Sequence, residues 1–324
     1  MKAIRLDKSC QIEELQPIKV PIPKVKQGYA LVKVKAFGVN ESEVTSRKGE
    51  SDSDFSFPRI LGIEGVGIVE EVAQDSHLAV GQQVATMMGG LGRSIDGSYA
   101  EYMLVKEEHL IPFESDLDWG ILGAVPEMLQ TAYGSLTQGL QLGKGESLLV
   151  RGGSSTVGLM AIALGKYLGA TVLATSRQEN KLETLTHFGC DYPLLDNENL
   201  EQELLKIAPQ GVDKVLELVG MTTLFQDMAF LKKGGYLCFT GALSGHWTAE
   251  QFSPFSIPKG KYLTSYAGDV HDLSAQVLNT MLAAVAKGDI KIPVAQIYHG
   301  LESVAQAQEN LESGQFIGKH VVVV

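Results

Sequence analysis

The chain has 324 residues and a formal net charge of -11, with 44% apolar and 20% charged side chains. That length and composition predict a packed protein of about two domains. So acidic a chain is a poor general binder of nucleic acid or of an anionic membrane, although a local basic pocket stays open.

Cys10, Cys190 and Cys238 are too widely spaced for a metal or redox pair, and three is an odd count for a disulfide framework. Each reads as a buried small hydrophobe in a reducing cytoplasm. Near the N-terminus Asp7 stands where an export signal would need apolar residues. No stretch reaches the roughly 20 apolar residues of a membrane span. The expectation is a cytoplasmic protein with no membrane partner. The chain shows no internal repeat, low-complexity tract or long charge run.

The first third reads as β. Tyr29 to Phe37 alternates apolar and charged residues, as a half-buried strand does. Further strands are expected at Ile60 to Val72, Gln82 to Met87 and Tyr99 to Val105, with glycine-rich joints. Many short strands of this kind predict a small barrel or sandwich. Gly62, Gly65 and Gly67 in one run predict a bent or bulged strand.

The pattern changes near Trp119, and residues from Ile121 to Leu140 have helical spacing. From Ser147 strands and helices alternate. Strands are expected at Leu148–Val150, Thr171–Thr175, Val215–Val219 and Tyr236–Phe239. Helices are expected at Val157–Leu168, Glu179–Phe188 and Thr223–Leu231. This alternation predicts a parallel sheet covered by helices on both faces. Beyond Lys261 the pattern is mixed and ends in a strand, Lys319 to Val324. The layout is an α/β fold in which a β-rich unit of residues 1–121 and 265–324 carries an inserted α/β unit of residues 122–264. A cleft between them is the default ligand site.

At Leu148 to Gly158 the chain reads LLVRGGSSTVG. Gly153, Ser155 and Gly158 fall on the spacing G-x-G-x-x-G, with serine in second place. In that pattern the first glycine permits the turn, the second lets backbone approach a pyrophosphate, and the third lets helix and strand pack closely. The following helix would offer free N–H groups at its start, and Thr156 and Val157 are candidate cofactor-binding residues. The serine side chain crowds the approach, but its hydroxyl and those of Ser154 and Thr156 can donate to phosphate. A tight connection with no ligand is the other reading of this loop.

A site for NAD wants an acid at the end of the next strand, to accept from the ribose 2′-hydroxyl. The strand ends Ser176-Arg177 and has no acid there. Arg177 and nearby Lys181 supply positive charge, and arginine suits a 2′-phosphate. The cofactor expected is NADP(H). Otherwise Arg177 and Lys181 form a solvated helix start that interacts with Glu179 or Glu183. Val219, Gly220, Gly241, Ala242 and Leu243 end two further strands of the same unit, where a dinucleotide would cross or the strands simply stop.

With these pieces placed, the chain resembles the zinc-independent quinone oxidoreductases of the medium-chain dehydrogenase/reductase superfamily. The carrying segments are AFGVNESEVTSRKG (Ala36–Gly49), LGIEGVGIVEEV (Leu61–Val72), GSYAEYMLV (Gly97–Val105) and AVPEMLQTAYGSL (Ala124–Leu136). The loop above, GVDKVLELVG (Gly211–Gly220) and KKGGYLCFTGALSG (Lys232–Gly245) complete the set. The resemblance spans nearly the whole chain and implies a GroES-like β-rich domain, a Rossmann domain and a homodimer.

Where zinc-dependent members hold metal with a cysteine and a histidine, this chain has Asn40 and Ile63. Glu64 alone is no zinc site, so no metal is expected. The resemblance gives Asn40 a place at the nicotinamide end; from sequence alone it is equally a turn asparagine after Gly38. Thr45 stands where relatives often place a tyrosine. Arg47 matches a common arginine, as either pocket wall or surface residue. Thr131 matches a threonine near the nicotinamide, or bonds back to its own helical turn.

The activity implied is hydride transfer from NADPH to a quinone or an α,β-unsaturated carbonyl, acceptors that need no Lewis acid. The competing expectation is an NADPH-binding redox sensor that changes protein partners with little turnover. The glycine-rich stretch from Met88 to Gly97 suits either a pocket lid or a partner-facing loop.

Overall fold

The computed structural model describes residues 1–324. The chain forms two compact units, each with its own sheet. One holds Met1–Glu127, Asp269–Gly288 and Ile292–Val324; the other holds Met128–Gly268 and Asp289–Lys291.

The first unit is built on a seven-stranded sheet centred on the long strand Tyr29–Val39. That strand pairs antiparallel with Glu64–Val72, with Tyr102–Lys106 and with the C-terminal strand Lys319–Val323. Alternation buries Ala30, Val32 and Val34, and past the register shift at Lys35 the phase moves to bury Phe37 and Val39, all in one core with Tyr99 and Met103. Phe37 stacks on Tyr99 with ring centroids 4.6 Å apart. The run expected as one bent strand from Ile60 is divided. Arg59–Ile60 forms a short strand of its own, and Gly62 turns the chain with φ 105 before Glu64–Val72 begins. The expected bulge is present at Glu70, the extra residue between the pairs Leu31–Glu71 and Val32–Val69, and a second lies on the partner strand at Lys35, between Val34–Gly67 and Ala36–Val66.

The second unit holds a six-stranded sheet, parallel at every pairing. Its spatial order is Tyr192–Leu195, Thr171–Ser176, Ser147–Arg151, Val212–Glu217, Leu231–Phe239, Tyr262–Ser265. In chain order that is third, second, first, fourth, fifth, sixth: the doubly wound Rossmann arrangement. The order reverses between Ser147–Arg151 and Val212–Glu217. Ligands of such sheets bind beyond the strand ends at that reversal, the place occupied here by the loops after Arg151 and after Glu217.

Several elements depart from expectation. The segment from Ile121 to Leu140 is not one helix: it divides into Trp119–Leu122, Pro126–Gly134 and a wider π turn, Ser135–Gly139. The break falls before Pro126, which cannot sit inside a helix without removing a hydrogen bond. The widened turn lies where the Thr264 hydroxyl donates to the Gly139 carbonyl, 2.8 Å. The sheet's outer strands, Tyr192–Leu195 and Tyr262–Ser265, had no sequence expectation. Neither did the helices Leu200–Ile207, Ala275–Lys287 and Val304–Ser313. No helix is long and apolar enough to cross a membrane.

Candidate functional site

In the second unit the glycine-rich loop joins Ser147–Arg151 to the helix Thr156–Tyr167. Gly152 takes φ 80, which a side chain rarely adopts. A Cβ on Gly158 would lie 2.6 Å from the Gly152 carbonyl oxygen, so the helix start and the loop touch. Ser155 is the helix N-cap: its hydroxyl accepts from the Gly158 N–H at 3.1 Å and donates to the Gly152 carbonyl at 2.9 Å. The serine in second place therefore closes the loop on itself. The N–H groups of Thr156 and Val157, in the helix's first turn, have no acceptor within the chain. Free N–H groups at a helix start are suited to an anion.

The loop is anchored from the neighbouring strand. Thr175 accepts from the Gly153 N–H through its carbonyl and from the Gly152 N–H through its hydroxyl, at 2.9 and 3.1 Å. The Ser176 hydroxyl stands 3.5 Å from that of Ser154. Arg177 follows, exposed, and neither it nor Lys181 makes an ion pair. Both follow the strand that anchors the loop, and neither pairs with Glu179 or Glu183. Across the reversal, Val219 and Leu243 lie beside Gly152. Gly220 turns with φ 118, and Leu243 and Ser244 donate to the carbonyls of Leu218 and Val219. Gly153, Ser154, Ser155, Thr156, Val157, Ser176, Arg177, Val219, Gly220, Gly241, Ala242 and Leu243 all end strands or open loops of this one sheet. The loop and its free N–H groups fit the phosphates of a nicotinamide dinucleotide.

Sequence reading missed what holds these loops. Arg151 and Glu217 are neighbours in register across the reversal. Arg151 is 2% exposed and donates to Asp227 at 2.8 Å and Asp196 at 2.9 Å. Burial holds the Asp227 carboxyl well above its ordinary range, and the Arg151 charge opposes that. Glu217 accepts from the N–H groups of Val219 and Gly220, both at 2.8 Å, and from the Thr223 hydroxyl at 2.9 Å. Glu217 therefore sets the loop that follows it, while Arg151 ties the end of its own strand to Asp196 and Asp227.

In the first unit a second buried polar cluster gathers around Asn40. Asn40 caps the helix Glu41–Lys48, and Glu43 closes the reciprocal bond, its Oε2 accepting from the Asn40 N–H at 2.9 Å. Glu43 Oε1 accepts from the Ile63 N–H at 2.9 Å. Glu64 is fully buried and paired with Lys319 at 2.6 Å. It also accepts from the Glu127 N–H at 2.9 Å and from Asn40 Nδ2 at 3.0 Å. Lys319, 3% exposed, reaches Glu127 at 3.0 Å and the Asn40 carbonyl. Burial alone would lower the Lys319 ammonium; the charges of Glu64 and Glu127 outweigh it and raise the group. Burial pushes the Glu43 carboxyl up to about 7.

The other first-unit candidates do different work. The Thr45 hydroxyl donates to the Glu41 carbonyl at 3.0 Å. Arg47 is not a surface residue: it is 4% exposed and donates to Gln308, Glu312 and the Cys10 carbonyl. Thr131 belongs to the second unit, and its carbonyl accepts from the Ser135 hydroxyl at 2.7 Å. The signal for Glu43 was legible, since Asn40-x-x-Glu43 is capping-box spacing. Lys319 had no such signal.

Comparison with known proteins agrees with this architecture. Residues 26–115 match the alcohol dehydrogenase GroES-like domain and residues 156–284 the zinc-binding dehydrogenase domain. A probable quinone oxidoreductase of Leishmania amazonensis is 29% identical over 318 residues, 93% of this chain and 90% of that protein. Prostaglandin reductase-3 of Mus musculus is 28% identical over 331 residues, 93% of this chain and 83% of its own. The crystal structure of AibC superposes with a TM-score of 0.89 at 26% identity, covering 100% of this chain and 95% of that one. The chain belongs to the medium-chain dehydrogenase/reductase superfamily, as a quinone oxidoreductase-like member, and is an oxidoreductase. The zinc in the second domain's description does not fit this donor set. Asn40 offers an amide, Ile63 an alkyl chain, and the Glu64 carboxylate is already neutralised by Lys319.

Two outcomes follow from the buried charges. Arg151→Met strands Asp227 without its cation and should cost about 3–5 kcal/mol in urea unfolding, most of it recovered by the double variant Arg151→Met/Asp227→Leu. A loss that the second substitution deepens would contradict this. For Glu43, the unfolded carboxyl loses its proton near 4.5 and the folded one near 7. The folded state thus holds the extra proton between those values, and the stability this group contributes is lost as pH rises through them. The unfolding free energy of the wild type relative to Glu43→Gln should fall from about pH 5 to about pH 8, whereas a pH-independent difference would refute the assignment.

Proposed function

We propose that this protein reduces an electrophilic acceptor, a quinone or an α,β-unsaturated carbonyl, at the expense of NADPH and without a metal. The observation that carries this reading is that Arg177 and Lys181, which follow the strand anchoring the loop, make no ion pair, while the N–H groups of the helix after the loop are free. An NAD site would need an acid there; a 2′-phosphate needs a cation. The names of the two relatives, a quinone oxidoreductase and a prostaglandin reductase, support the acceptor class. The donor set around Asn40 supports the absence of zinc.

In this reading the Thr156 and Val157 N–H groups hold the pyrophosphate, and Arg177 and Lys181 hold the 2′-phosphate. Val219, Gly220 and Gly241 to Leu243 line the path of the dinucleotide. The bound nicotinamide supplies the hydride. Asn40 Nδ2 donates to the acceptor's carbonyl oxygen, where negative charge develops as the hydride arrives at carbon. Water delivers the proton that completes the reduced product. An acceptor that is already electron-poor needs no Lewis acid for this step, unlike a simple alcohol losing hydride.

The test is NADPH consumption against a panel of quinones and enones. Turnover with at least one member is expected; tight NADPH binding with no turnover on any would favour a redox sensor instead. Arg177→Ala should weaken NADPH about 10-fold or more and leave NADH nearly unchanged, because charge-assisted bonds to the 2′-phosphate exist only in NADPH. Equal losses for the two cofactors would sink the 2′-phosphate assignment.

A further inference from the structure

We infer that Lys319 is a positioning residue for the reaction, acting through the side chain of Asn40. The inference rests on the reading above, in which Asn40 meets the acceptor oxygen. An ammonium has three N–H donors. Those of Lys319 go to Glu64 Oε1 at 2.6 Å, Glu127 Oε2 at 3.0 Å and Asn40 Oδ1. That pattern decides which way the Asn40 amide faces. Its carbonyl must meet the ammonium and its NH2 must meet the carboxylates. The reverse orientation would set NH2 against NH3⁺ and carbonyl oxygen against Glu64.

The two Asn40 Nδ2 hydrogens are not held equally. One bond, to Glu64 Oε1, is 3.0 Å; the other, to Glu43 Oε1, is 3.4 Å, at the limit of a hydrogen bond. Glu43 Oε1 is already served by the Ile63 N–H at 2.9 Å. The N–H toward Glu43 is therefore the donor that an incoming carbonyl oxygen can take. A cation on the amide oxygen also polarises the amide and strengthens that N–H as a donor. Lys319 thus orients the donor and enhances it, while Glu64 fixes the opposite hydrogen. The cluster is tightly packed around this arrangement: a Cβ on Gly38 would overlap both Glu64 Oε1 and Lys319 Cε.

A residue that only neutralised Glu64 and Glu127 would matter equally whether or not Asn40 were present. A double-mutant cycle separates the two cases. In NADPH-saturated protein with a quinone acceptor, Lys319→Met should lower kcat about 10-fold. In the Asn40→Ala background the same change should lower it by less than about 2-fold. Lys319→Arg should recover most of the loss. NADPH affinity should hold between wild type and the Lys319 variants, because the loop proposed to bind it is built from other residues. If Lys319→Met does not fold, Lys319→Gln, neutral but still a donor, should show the same pattern at smaller amplitude.

A second readout needs no turnover. In the ligand-free protein the Asn40 side-chain amide resonance, assigned by its loss in Asn40→Ala, should move upfield in the Lys319 variant and its hydrogens should exchange faster. Equal losses of kcat in both backgrounds, no loss in either, or an unmoved amide resonance would each overturn the inference. A wild type without turnover would instead refute the proposed function, and the resonance would then decide the role of Lys319 by itself.

Discussion

The ion pair between Lys319 and Glu64 is the constraint around which the first unit's polar site is arranged. Removing an ammonium from water is costly unless carboxylates and further hydrogen-bond acceptors surround it. The fold meets that condition with partners drawn from remote parts of the chain. Lys319 opens the C-terminal strand, whose next residue, His320, lies in register with Val39. That pairing sets Lys319 beside Asn40, at the end of the long central strand. Glu64 opens the adjoining strand, and Glu127 stands in the first turn of its helix. Four segments therefore have to converge before the charge is satisfied, and Asn40 inherits a fixed orientation from them.

The second unit uses a related device for a different purpose. At the reversal of strand order the two central strands end in Arg151 and Glu217, adjacent in register. The guanidinium reaches Asp196, beyond the third strand, and Asp227, in the helix after the fourth. Glu217 gathers the N–H groups of the loop that follows it. The glycine-rich loop is held by Ser155 and Thr175, and the loop after Glu217 by that carboxylate. With the loops set, the Thr156 and Val157 N–H groups stay available. The Ser155 hydroxyl serves the N-cap, so an anion at this loop meets backbone N–H groups first.

Much of the fold was legible because its signals are local. The alternation from Tyr29 to Phe37 marks a strand that the structure extends only to Val39. The alternating strands and helices after Ser147 predicted a parallel sheet, and its central strands stand within a few residues of the expected positions. The missed outer strands are short, and Tyr192–Leu195 contains Pro193, which demotes a run that an edge position tolerates. At the loop, the pattern located the turn, but tertiary contacts decided Ser155's task. Lys319 was the least legible residue of all. Read locally, it is a polar residue opening a strand; its partners Asn40 and Glu127 lie 279 and 192 positions away. No periodicity or spacing carries such a contact. Arg47 illustrates the same limit, since its partners Gln308 and Glu312 sit far along the chain.

The function proposed above is direct hydride delivery from NADPH to an electron-poor carbon. The most direct measurement is the fate of the label when NADPH deuterated at the transferring position of C4 is consumed with an enone. The account predicts deuterium at the β-carbon of the reduced product, with the hydrogen at the α-carbon drawn from solvent. Deuterium absent from the product, or appearing only in water, would contradict it.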